Sequence, residues 1–219
     1  MTTKRRYDDG CPIAHALDLV GERWALLVVR ELLFGAKRFT DLRTGLPGAS
    51  PNVLSQRLRE LDEAGVVRRR RLPPPAAAWV YELTPWGREL EPVIALLGRW
   101  GARSDGLRGE GPISVDSLML ALRSLFDPGR AEGLVADLAV HLGEDGFLAQ
   151  VTPDGLTVER RPVAEPDASI RTDTVTLNNV VSGRHTLAEA VASGALEVHG
   201  DETVVARFLT LFPSPRPAA

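Results

Sequence analysis

The densest set of local instructions in this 219-residue chain lies between Ser50 and Leu83, which read as a short helix, a stop and a cationic hairpin. Leu54, Leu58 and Leu61 recur at spacings of four and three, so one face of the helix is buried. Asn52, Ser55, Gln56 and Arg59 fall on the other faces, and each can reach the bases or phosphates of DNA. Ser50 supplies an N-cap, Pro51 the first helical position and Gly65 the stop. Arg68 to Arg71 then run along a strand into a proline turn, and Trp79 to Leu83 return. A polar helix face beside a cationic hairpin suits a helix in a major groove flanked by backbone contacts. A solvated amphipathic helix with an arginine-rich hairpin is the plainer reading of the same pattern.

A chain of this length favours two domains over one. Its hydrophobic content of 44% supplies real cores and excludes general disorder. No run approaches the roughly 20 apolar residues of a membrane span, and the first residues lack the apolar stretch of a signal peptide. The single cysteine excludes an internal disulfide framework, so the expected location is the cytoplasm. The net charge of -3 hides an asymmetry: residues 1–112 carry 18 Lys/Arg against 14 Asp/Glu, and residues 113–219 carry 8 against 15. A polyanion is attracted to the first half and repelled by the second.

In the first half, Pro12 opens a short helix that ends near Gly21. Arg23 to Phe34 is strongly apolar and predicts a helix buried on most sides, stopped by Gly35. Phe39 to Gly45 is a third short helix, joined through Leu46-Pro-Gly to the helix at Ser50. Two short helices with a tight glycine-containing connection make a helix-turn-helix, and the hairpin makes it winged. Thr84 to Trp100 predicts one longer helix. Its stripe of Leu90, Val93, Ile94, Leu97 and Trp100 is too wide to leave in water, so either a partner chain or the same chain covers it.

Cys-Pro-Ile at 11–13, Gly-Glu-Arg-Trp at 21–24, Arg-Phe-Thr-Asp-Leu at 38–42 and Leu-Ser-Gln-Arg-Leu-Arg-Glu-Leu at 54–61 resemble the HxlR-type transcriptional regulators. So do Ala-Gly-Val-Val-Arg-Arg at 64–69 and Tyr-Glu-Leu-Thr-Pro-Trp-Gly at 81–87, and the motifs come in the family's order over roughly residues 8–104. The resemblance implies a winged-helix homodimer on a pseudo-palindromic operator, with the terminal 84–104 helix and the N-terminal helix contributing to dimerisation. The departure is length, since many members stop near the end of that helix.

Asn52 and Gln56 sit one turn apart, and an amide can bond adenine in a bidentate way. Ser50, Ser55 and Arg59 flank that face. Arg57, beside the buried stripe, either holds the DNA backbone or braces the fold. Lys37, Arg38 and Thr40, at the start of the third helix, are placed for phosphates. Strand alternation sends Arg68 and Arg70 one way, Arg69 and Arg71 the other, so one pair faces DNA. Cys11 precedes a proline-started helix, where unpaired backbone N–H groups and the positive dipole end favour thiolate, with Lys4, Arg5 and Arg6 near in sequence. Some members of the resembled family sense oxidants through a cysteine at this position; the alternative is a small apolar residue packed under the helix.

Ser104 to Pro112 holds three glycines and a proline, and the charge sign changes there. The expected domains are therefore residues 1–104 and 115–219, joined by a linker at 105–114. Val115 to Phe126 is helical, after which the period switches to two. Alternation from Leu134 to Leu142, turns at Gly143-Glu-Asp-Gly and Pro153-Asp-Gly, and runs at 147–151 and 156–160 predict an antiparallel meander. Residues 168–172 add a strand; Asp173, the Thr186-Leu-Ala-Glu capping box and Asp201 start three helices. The succession, with Ile-Arg-Thr-Asp at 170–173, Ser-Gly-Arg at 182–184 and Ala-Ser-Gly-Ala-Leu-Glu-Val-His-Gly-Asp at 192–201, resembles the sterol carrier protein type 2 fold. That resemblance implies a cavity for a hydrophobic ligand, with Phe126, Phe147, Leu177, Val181, Phe208 and Phe212 either lining it or packing as core.

His15, His141, His185 and His199 are scattered without metal-ligand spacing, and no phosphate loop, serine elbow or acid–base constellation is present. No cofactor, metal or enzymatic activity is expected. The expected fold is α+β: a winged helix-turn-helix domain, then an antiparallel sheet covered by helices. The expected function is a homodimeric regulator of double-stranded DNA, modulated by a hydrophobic small molecule or by oxidation of Cys11. The alternative is a lipid carrier whose winged helix serves protein association.

Overall fold

The computed structural model describes residues 7–104 and 113–216. The chain divides into two compact units at Ile94/Ala95. The boundary falls inside a helix; most of the linker expected at 105–114 lies outside the described residues.

The first unit begins with α1 (Pro12–Val20), α2 (Ala25–Leu32), α3 (Phe39–Gly45) and α4 (Pro51–Glu63). A hairpin of β1 (Val67–Arg71) and β2 (Trp79–Leu83) follows, paired from Val67↔Leu83 to Arg71↔Trp79. Leu54, Leu58 and Leu61 of α4 are fully buried together with Val28, Val29 and Leu32 of α2 and Leu42 of α3. Helix α2 is shorter than the apolar run predicts. Trp24, its N-cap, adopts φ 78°, a left-handed conformation costly for a bulky residue. The ring lies against Gly48, where a Cβ would come within 2.8 Å of it, so Trp24 is tied to the turn between α3 and α4.

The single helix expected over 84–100 is broken into α5 (Pro85–Arg88) and α6 (Glu91–Gly101). Pro92 accounts for the break: it has no N–H to donate, and its ring collides with a helical carbonyl four residues back. At the base of the hairpin, the Thr84 hydroxyl donates to the Gly65 carbonyl at 2.7 Å, and the Thr84 N–H donates to that of Val66 at 3.0 Å. Gly87 then passes so close that an added Cβ would stand 2.0 Å from the Val66 carbonyl oxygen.

In the second unit α7 (Val115–Leu125) precedes strands β3 (Ala136–Leu142), β4 (Asp145–Thr152), β5 (Gly155–Glu159) and β6 (Ala168–Thr172). Helices α8 (Thr174–Val181) and α9 (Leu187–Ala192), strand β7 (Glu197–Gly200) and helix α10 (Glu202–Leu209) complete it. The caps are those the sequence announces: the Asp173 carboxylate accepts from Val175 and Thr176, Thr186 and Glu189 form a capping box, and Asp201 caps α10.

The sheet order β5-β4-β3-β6-β7 corrects the expectation of an antiparallel sheet, because β6 pairs with β3 in parallel. The register gives the reason. Val158, Ala149, Leu138 and Ala168 form one row across four strands, so β6 starts at the level where β5 is ending. The chain crosses to the far side of β3 without travelling back along the sheet, and the long return that parallel pairing usually needs is avoided. All four residues of that row are buried, as are Ala136, Val140 and Leu142 on the same face of β3.

Two substitutions in the first unit measure this packing. Gly87→Ala pushes a methyl into a backbone carbonyl and lowers the unfolding free energy by about 2–3 kcal/mol, read by urea denaturation. Glu31→Gln removes a buried charge from between Arg30 and Lys37 and costs on the order of 3 kcal/mol in the same assay. A loss under about 0.5 kcal/mol in either variant contradicts the packing described.

Candidate nucleic-acid interface

Helix α4 carries two stripes of identical spacing. Leu54, Arg57, Leu58 and Leu61 are buried. Asn52, Ser55, Gln56 and Arg59 stand two residues out of phase, about 200° around the helix. Asn52, Gln56 and Arg59 are exposed and Ser55 is half-buried, so one continuous polar face points away from the core. Ser50 is exposed at the N-cap and accepts from the Val53 N–H at 3.4 Å. Of the two roles open to Arg57, the geometry gives it bracing. Its guanidinium is buried, bonds the Glu60 carboxylate and approaches that of Glu22 at 3.6 Å. The Gln56 side-chain amide donates to the other Glu60 oxygen at 3.0 Å.

Around α3, Arg38 and Thr40 are exposed, with the Thr40 hydroxyl donating to Asp41 at 3.2 Å. Lys37 differs from expectation. Its ammonium lies 3.0 Å from the wholly buried carboxylate of Glu31, whose other oxygen takes Arg30 at 2.8 Å. Lys37 also exchanges both backbone hydrogen bonds with Tyr81 of the hairpin. It is an internal strut, and its charge is directed inward.

The structure also separates the four hairpin arginines. Arg68 and Arg70 both bond the buried Glu82 carboxylate on the paired strand, at 2.7 and 2.6 Å. Burial alone raises the Glu82 pKa, but the hydrogen bonds and charge of Arg70 and Arg68 outweigh it and hold the group below the usual carboxylate value. Arg69 instead lies over the Trp79 ring, 4.4 Å from its centroid, and Arg71 is exposed with Nε 3.5 Å from the Ala77 carbonyl. Among the described residues neither Arg69 nor Arg71 has a carboxylate partner. Of the candidate DNA-contacting cations, Arg38, Arg59, Arg69 and Arg71 are exposed and have no carboxylate partner among the described residues. Sequence reasoning missed Glu82 and Trp79 as organisers; the signal was their place in register opposite Arg68 and Arg71.

Cys11 is half-buried at the N-cap of α1, its N–H donating to Asp9 at 2.9 Å and its carbonyl accepting from His15. Lys4, Arg5 and Arg6 lie outside the described residues. In the second unit Phe147, Leu177, Phe208 and Phe212 are buried, while Phe126 and Val181 are half-buried. Phe212 meets Phe208 edge-on at 5.0 Å and Phe126 at 6.5 Å, and the Arg160 guanidinium covers Phe147 at 4.5 Å. Among the described residues no group of His, Cys, Asp and Glu is arranged to hold a metal ion, and no helix is long and apolar enough to cross a membrane.

Residues 19–106 match the family profile described as HxlR-like helix-turn-helix. Among curated relatives, the HTH-type transcriptional regulator sll1512 of Synechocystis is 37% identical over 110 residues, covering 47% of this chain and 82% of that protein. Rv3095 of Mycobacterium tuberculosis, of the same description, is 42% identical over 146 residues, 67% of this chain and 86% of that protein. Among solved structures, the reduced form of the regulator YodB from B. subtilis is 32% identical, with 44% of this chain and 95% of that chain covered and a TM-score of 0.40. Residues 113–218 match the profile described as alkyl sulfatase C-terminal, which is what the second unit is similar to where the sequence suggested a sterol carrier-like domain. With relatives at this identity over most of their length, and with the two-stripe α4 and its cationic hairpin in place, the chain belongs to the HxlR-like helix-turn-helix family of DNA-binding transcriptional regulators.

Proposed function

We propose that the protein is a cytoplasmic homodimer that reads a pseudo-palindromic operator with α4 and holds the flanking phosphates with its hairpin. The observation that carries this reading is the exposed face of Asn52, Gln56 and Arg59, opposite a fully buried stripe on the same helix. Asn52 and Gln56 take base edges, with Ser55 and Arg59 beside them. Ser50, Arg38, Thr40, Arg69 and Arg71 hold the backbone. Arg68 and Arg70 stiffen the wing through Glu82 and add positive potential, and Lys37 acts from inside the fold.

The dimer contact is assigned to α1 and the 84–104 segment. Of the apolar stripe there, only Ile94 is buried within the chain, while Val93, Leu97 and Trp100 are about half to three-quarters exposed. Ile13 and Leu17 of α1 are exposed as well, and an apolar groove opens between α1 and the residues around Trp86 and Leu90. Isologous pairing of such surfaces removes them from water and places two α4 helices for half-sites about 34 Å apart. The second unit is assigned as a sterol carrier-like effector domain for a hydrophobic small molecule, around the Phe126–Phe208–Phe212 cluster. Oxidation of Cys11 is a second input to the same dimer, through a mixed disulfide, a sulfenic acid or a bridge between subunits. Either signal acts by changing the spacing of the two α4 helices.

Fluorescence anisotropy on duplexes from the gene's own upstream region tests the reading directly. The full chain binds one such duplex with a steep dependence on salt, and Arg69→Ala lowers the salt slope by about one unit without changing sequence preference. An unchanged slope removes Arg69 from the phosphate set. In sedimentation, Leu97→Asp shifts the dimer to monomer and lowers operator affinity; a variant that remains dimeric contradicts the assignment of the interface.

A further inference from the structure

The chain Glu22–Arg57–Glu60–Gln56 runs from the exposed loop before α2 to the polar face of α4, and only its last member belongs to the base-reading set. Glu60 stands one turn beyond Gln56. One of its oxygens accepts from the Gln56 amide at 3.0 Å and the other accepts from the buried Arg57 guanidinium. Arg57 is held in turn by Glu22 at 3.6 Å. A carboxylate can only accept hydrogen bonds, so the atom that Gln56 turns toward Glu60 is the nitrogen. The amide is therefore oriented before DNA arrives: its carbonyl oxygen and its second N–H are left to face outward.

The geometry points to Glu60 as the positioning residue that sets which base Gln56 reads, an assignment that rests on the proposed reading of DNA by α4. An outward carbonyl oxygen beside one N–H complements the N6 amino group and N7 of adenine in the major groove. It meets the O6 of guanine and the O4 of thymine with repulsion. Without the anchor, the amide of a glutamine turns over freely, and its nitrogen then serves an acceptor equally well. Arg57 contributes by keeping the Glu60 carboxylate in place and by offsetting a negative charge that otherwise stands close to a phosphate backbone.

The isosteric change Glu60→Gln gives a sharper outcome than deletion. Arg57 still requires an acceptor, so the new side chain keeps its oxygen on Arg57 and offers its nitrogen to Gln56. Gln56 must then turn its own oxygen inward and present N–H groups to the groove, which favours the O6 and N7 acceptors of guanine.

The test uses the full chain and the operator selected by the wild-type protein from random duplex DNA, with every single base-pair change in that operator measured for the wild type, Gln56→Ala, Glu60→Ala and Glu60→Gln. Affinity ratios between duplexes are compared, because a ratio is independent of the fraction of each variant that folds. The base pair at which Gln56→Ala erases preference is the one Gln56 reads. There the wild type prefers adenine by roughly tenfold, Glu60→Ala reduces this to under about threefold, and Glu60→Gln moves the preference toward guanine. If Gln56→Ala erases the preference while both Glu60 variants keep it, Glu60 is merely structural and the inference is overturned. If Gln56→Ala leaves every preference intact, α4 does not read DNA through Gln56, and the proposed base reading falls with the inference.

Discussion

A carboxylate with no surface exposed to water holds the first unit together. Glu31 of α2 accepts from Arg30 on its own helix and from Lys37 in the connection to α3. The end of α3 closes over it at Gly45, where a Cβ would stand 2.2 Å from the carboxylate. Lys37 then continues the linkage, since its backbone pairs with Tyr81 in β2. One buried charge thereby ties α2, both ends of α3 and the wing. Removing either sign from such a pair leaves an uncompensated ion in a medium that solvates it poorly. This internal linkage holds α3 and the wing to the same buried anchor on α2.

The same economy governs the rest of the cationic surface. Residues 1–112 carry 18 Lys/Arg, yet Arg30, Lys37, Arg57, Arg68 and Arg70 are turned toward carboxylates of the fold. Of the candidate contacts on α3, α4 and the hairpin, Arg38, Arg59, Arg69 and Arg71 are exposed without a carboxylate partner among the described residues. Non-specific attraction to phosphate grows with every unpaired cation. Internal pairing restrains that attraction while the paired arginines still stiffen the strands that present the free ones. Arg69, laid on Trp79, has fewer rotamers to lose on meeting a phosphate than an arginine extended into water.

What sequence could reveal was whatever local chemistry decides. The leucine spacing of α4, its Ser50–Pro51 start and the caps at Asp173, Thr186 and Asp201 were legible because each acts within one turn of helix. The four arginines were legible as a strand and as two alternating pairs, but not which pair turns to a carboxylate, which depends on Glu82 lying opposite Arg68 in the register. Lys37 looked like a phosphate ligand because its partner is buried six residues earlier. The break between α5 and α6 was readable from Pro92, and the breadth of the apolar stripe concealed it. The parallel pairing of β6 with β3 was not readable, because alternation marks a strand and says nothing of its neighbour. Trp24 in a left-handed conformation is likewise imposed by tertiary packing, against Gly48, and no local preference announces it.

Regulation of the kind proposed requires two α4 helices to meet one duplex together. Hydroxyl-radical footprinting of the full chain on its operator, paired with interference by guanine and adenine methylation, measures this directly. Two protected backbone segments about one helical turn apart on the same side of the duplex, each bracketing major-groove positions where methylation blocks binding, are the expected pattern. A single protected segment, or protection without any major-groove interference, contradicts it.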